Sequence, residues 1–105
     1  MSQDKLPGHY RRLLETYPDY MKALNELGQV VQRQGPLDAK TGQLVQLAAA
    51  VALGSEGAVH SHTRRALAAG AGPEEIRQAL LLLTSTLGFP RVSAALSWAE
   101  DVLSA

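Results

Sequence analysis

The chain contains no cysteine. That absence removes disulfides, thiolate metal ligands and thiol nucleophiles from any account of its chemistry. An excess of charge is missing too: ten Lys and Arg balance ten Asp and Glu, and they are scattered rather than blocked. No basic stripe of the kind that neutralises phosphates results, which argues against nucleic acid as a partner. No apolar run approaches the roughly 20 residues that span a bilayer. The opening MSQDKLPGHYRRL has no apolar segment of the signal-peptide kind. The expectation is a soluble cytoplasmic protein without membrane contact. Internal repeats, low-complexity segments and the alternation of half-buried strands are also lacking.

What remains is helical periodicity. The 105 residues, 46% of them hydrophobic, fit a single compact domain over 1–105, and the spacing predicts an all-α fold of six helices. A short helix runs from Gly8 to Glu15. Pro18 opens a second, whose Met21, Leu24, Leu27, Val30 and Val31 form one apolar stripe. Asp38 is placed to cap a third, AKTGQLVQLAAAVAL, which Gly54 ends. Ser55 caps a fourth reaching about Ala69, and GAGPEE supplies a stop, a proline and two acids for a fifth. Gly88 and Pro90 separate that helix from the last.

Two segments appear apolar all round. Successive helical residues turn by about 100°, so Leu80, Leu81, Leu82 and Leu83 would point around almost the whole circumference of the fifth helix. Leu44 to Leu53 has the same character. One such helix can be central to a small domain; two call for a second burial surface. A symmetric homo-oligomer supplies one.

From Asp38 onward the chain resembles the carboxymuconolactone decarboxylase family, which includes the alkylhydroperoxidase D-like proteins. The resemblance is strongest over 37–103 and rests on His62 followed by TRRALAAGAGPEEI and on GFP at Gly88 to Pro90. It implies a six-helix alkylhydroperoxidase D-like domain that assembles with itself as trimers or hexamers. The family's peroxidase branch carries Cys-x-x-Cys-x-x-x-His with a glutamate on the preceding helix. Here the cysteine positions fall on Ser55 and Ala58, the histidine on His62 and the glutamate on Gln43. Ser55, Ala58 and His62 lie within about 60° of one another on an ideal helix. Serine and alanine have no two-electron thiol cycle, and glutamine relays no proton near neutral pH, so peroxide reduction is excluded.

His62 is then the candidate acid/base group. It reads equally as a histidine hydrogen-bonded in a helix seam. Ser55 serves better as an N-cap than as a nucleophile, since about 10 Å of helix separates it from His62. His60 lies about 160° around from His62, so the pair cannot converge on one metal. With Glu56 and Arg64 four residues either side, it reads as part of a solvated face. Neither metal nor cofactor is expected. Trp98 and Phe89 are expected in core or interface. By resemblance to the decarboxylase branch, the chain would act as a lyase or isomerase on a small carboxylate or lactone, with His60, Arg64, Arg65 and Arg91 as conceivable ligand contacts. The alternative is a degenerate family member that binds a small ligand or serves as an oligomeric scaffold. A metal-binding protein is the weakest third class.

Overall fold

A computed structural model describes residues 8–105. The helices are α1 (Gly8–Thr16), α2 (Pro18–Gln32), α3 (Ala39–Leu53), α4 (Glu56–Ala68), α5 (Pro73–Leu81), the single turn α6 (Thr84–Leu87) and α7 (Phe89–Leu103). With no strand among the described residues, the fold is all-α: six helices of nine residues or more and one short turn. None is long and apolar enough to cross a membrane. The chain divides into two compact units, one ending at Pro36 and the other spanning Leu37–Ala105.

In the first unit α1 packs on α2. Proline at the first position of α2 has the φ a helix requires and lacks an amide that would have no partner there. Met21 is the buried residue of this helix, whereas Leu24, Leu27, Val30 and Val31 are exposed. The predicted stripe lies on one helix, and within the first unit its first member is the buried one.

The second unit is built on the α3–α4 pair. The Asp38 carboxylate accepts from the Thr41 amide at 2.8 Å and starts α3. Gly54 ends it in the left-handed conformation, φ 69°. A side chain there would be strained and would also overlap the Arg91 guanidinium. Ser55 Oγ then accepts from the Ala58 amide at 3.2 Å and starts α4, as its cap position predicts. The two helices pack along each other, with α7 against α4 and α5 and α6 against α7. Leu47, Ala50 and Val51 of α3 meet Val59 and Ala66 of α4, Ile76 and Leu80 of α5, and Ala95 and Ala99 of α7 in one core. Each of the larger aliphatic side chains contributes about 1.5–3 kcal/mol on burial. Trp98 packs against this core, as expected. Phe89 is exposed in the single chain and so lies outside the core.

The leucine run departs from the expected continuous helix. α5 stops at Leu81, Leu82 and Leu83 form a turn, and Thr84 Oγ1 donates to the Leu81 carbonyl at 2.8 Å. That hydroxyl satisfies a carbonyl left open where the helix ends. Leu80 is fully buried and Leu83 packs at the core margin, while Leu81 and Leu82 are 56% and 68% exposed. The expected α3 segment behaves similarly: Leu47, Ala50 and Val51 are buried, but Val45 and Leu53 face outward.

Candidate functional site

Gln43 lies in the first half of α3 and His62 in the middle of α4. Because the helices pack along each other through Leu47, Ala50 and Val59, both polar side chains reach across the same seam. Gln43 Oε1 lies 3.0 Å from His62 Nδ1. An amide oxygen only accepts, so Nδ1 carries the hydrogen and donates, leaving the Nε2 lone pair as the acceptor end of the ring. Burial, and after it the positive charge of Arg65, hold His62 below the ordinary histidine value. Neutral imidazole with a basic Nε2 is therefore the resting form near neutral pH.

The surroundings are cationic and partly dry. Arg64 is partly buried, and burial together with Arg65 lowers its pKa also. Arg65 is exposed. Thr63 is fully buried, and its hydroxyl has no hydrogen-bond partner among the described residues. Ser55 and Ala58 are held together at the start of α4 by the capping bond itself, which commits the serine oxygen to the backbone. Arg91, near the start of α7, lies against Gly54 at the end of α3, where a cation complements the open carbonyls.

His60 occupies a different setting. Its Nε2 is 2.9 Å from Asp101 Oδ2 on α7. In place of the solvated face that its neighbours on α4 suggest, it joins two helices. Asp101 lies 41 residues further along the chain, and no spacing rule links the two positions. Two other polar links are likewise tertiary: Lys40 pairs with Glu75 at 3.1 Å and Arg77 with Glu100 at 2.7 Å, while Arg77 also takes its α5 neighbour Glu74 at 2.7 Å.

An all-helical scaffold with a neutral histidine oriented by an amide across a helix seam, at a site free of thiols, is the class this geometry defines. The family model described as carboxymuconolactone decarboxylase family matches residues 18–101. The chain belongs to that family. Its match begins at Pro18, well ahead of the stretch from 37 on which the resemblance was strongest, so α2 lies inside the family region. Among solved structures, the chain is similar to an apo carboxymuconolactone decarboxylase family protein from Legionella pneumophila: 25% identity over 91% of this chain and 86% of that one, with a TM-score of 0.75. No curated protein matches.

Proposed function

We propose that the protein is an acid/base lyase or isomerase acting on a small carboxylate or lactone, with His62 as the group that moves the proton. The observation carrying this reading is the His62–Gln43 hydrogen bond, which fixes the tautomer and leaves Nε2 basic. Gln43 is the positioning residue. It takes the place of a carboxylate but, being neutral, does not raise the imidazole's basicity. The charge of Arg65 sets a positive potential at the ring that favours an anionic substrate.

In a lyase cycle the bond between carbon and carboxylate breaks and carbon dioxide leaves. The electron pair left on carbon is quenched by a proton that His62 relays from water. In an isomerase cycle Nε2 takes a proton from one carbon and returns it to another. Both cycles ask the protein's side chains only for proton transfer, consistent with a chain that contains no cysteine. The protein acts as a homo-oligomer, a trimer or larger, in this reading. The exposed Leu81, Leu82 and Phe89 of the second unit, and the exposed apolar row of α2, support it.

The test pairs turnover with a binding readout. Carboxymuconolactone and related small carboxylates are assayed for carbon dioxide release and double-bond migration, while the His62 ring signals are followed by NMR. Turnover that disappears in His62→Ala with oligomer mass and helical content retained supports the proposal. If no small carboxylate is turned over or moves the His62 signals, the acid/base role fails and the non-catalytic family member takes its place.

A further inference from the structure

The second histidine of α4 carries a separate site. Glu56 and His60 stand four residues apart on α4 and so share a face. Asp101 lies near the end of α7. α7 packs on α4, its small Ala95 and Ala99 joining the core that holds Val59 and Ala66, and this approach brings Asp101 beside His60. One ligand atom from each of Glu56, His60 and Asp101 lies within 4.8 Å of the other two. We propose that these three residues bind a divalent transition-metal ion, zinc in particular, clamping α4 to α7.

The donor set selects the ion. One imidazole nitrogen with two carboxylate oxygens suits zinc, which takes nitrogen and oxygen ligands with little geometric demand of its own. Magnesium and calcium prefer oxygen throughout, and cuprous ion prefers sulfur. Two carboxylates also cancel the charge of a divalent ion while His60 stays neutral. Zinc bonds of about 2.0–2.2 Å in tetrahedral geometry place ligand atoms about 3.4 Å apart. The His60–Asp101 pair, at 2.9 Å, is already closer than that. Glu56 is exposed, so its carboxylate can swing in to close the remaining distance. Zinc binds the Nε2 lone pair of the tautomer that carries its hydrogen on Nδ1, any proton held between Nε2 and Asp101 passing to solvent, and water fills the fourth position.

This site is independent of the proton-transfer reading. His60 and His62 point about 160° apart around α4, and their partners come from different helices, α7 and α3. The competing account is that His60 and Asp101 form an ion pair and nothing more.

The full chain, stripped with chelator, is titrated with zinc chloride by calorimetry and with cobalt chloride by visible absorption. The expectation is one zinc per chain, a rise in melting temperature on loading, and a cobalt spectrum of low coordination number. Glu56→Gln leaves the His60–Asp101 contact in place and should weaken zinc at least ten-fold, the lower bound of about 10–100-fold seen when only outer-shell partners are lost. His60→Ala and Asp101→Asn should abolish binding, with circular dichroism reporting that each variant is folded. His62→Ala should bind zinc as the parent does. The site is overturned by the absence of stoichiometric binding, by binding that Glu56→Gln does not weaken, or by binding lost in His62→Ala or His9→Ala instead.

Discussion

Replacing Gln43 by glutamate probes the His62 environment directly, because it changes one uncharged acceptor into a charged one of nearly the same shape. Gln43 Oε1 already accepts from His62 Nδ1 at 3.0 Å, so the new carboxylate keeps the bond and adds a unit charge. Two opposite charges about 4 Å apart attract by about 1 kcal/mol in water and about 4 kcal/mol at the effective dielectric of a protein surface. A half-buried pair falls between these limits. Each 1.4 kcal/mol is a ten-fold change in protonation equilibrium, so the midpoint of His62 should rise by about one pH unit or more. In the parent protein, burial and Arg65 act the other way. The assay is an NMR titration of the imidazole C–H signals of parent and variant, with His60 and His9 as internal references. The pH dependence that His62 gives to stability should change sign as well. A histidine raised above its unfolded value stabilises fully below about pH 6.5, and that contribution is lost as pH rises through the folded value. An unmoved or lowered His62 midpoint would refute the reasoning, since it would mean that the two side chains do not meet across the seam.

Three further outcomes follow from the same geometry. Leu81→Lys and Leu82→Lys change residues exposed in the single chain, so light scattering should show a smaller assembly built from folded chains; Leu80→Lys, which buries an unpaired charge, should unfold the domain. The parent protein should not consume alkyl hydroperoxide above the uncatalysed rate, whereas Ser55→Cys with Ala58→Cys and Gln43→Glu should form a disulfide under mild oxidant, read by mass spectrometry; persistent free thiols would show that these positions are not placed for the bond. Acid should destabilise the fold in two stages. His62, held low by burial, lowers stability as pH falls below about 6.5. The carboxyls of Asp38, Glu75 and Glu100 are held low by Thr41, the Gly72 amide and Arg77 respectively. Their contribution is present above about pH 4 and is lost as pH falls through their folded values. Because Asp38 and Glu75 are exposed and Glu100 is only partly buried, added salt should weaken the second stage. Urea melts across pH 3–8 at two salt concentrations check both, and a stability that rises between pH 6 and pH 3 would contradict them.

Much of the architecture is legible in the sequence because helix ends are local events. Asp38, Gly54 and Ser55 act through the next few peptide groups, and each performs the capping task its position implies. Period and caps together place the helices and the all-α class. The absence of cysteine excludes thiol chemistry whatever the fold. Gln43 and His62, singled out together in the sequence, also meet at 3.0 Å, because a two-residue connection between α3 and α4 fixes which positions of the two helices face each other. Where local rules conflict with tertiary demands, the prediction from periodicity fails. Leu80 to Leu83 read as one continuous turn of helix, yet the chain stops after Leu81 and the Thr84 hydroxyl takes the free carbonyl.

What only the tertiary structure decides are the contacts between residues far apart in the chain. His60 has Glu56 and Arg64 as its helical neighbours, and from these alone it belongs to a solvated surface. The approach of α7 gives it Asp101 instead, and with Glu56 a cluster of three ligating groups. The partially dry setting that keeps His62 neutral is of the same kind. A helix period specifies which side chains share a face; the packing of one face on another specifies how much water each retains, and the charge state of a histidine depends on that.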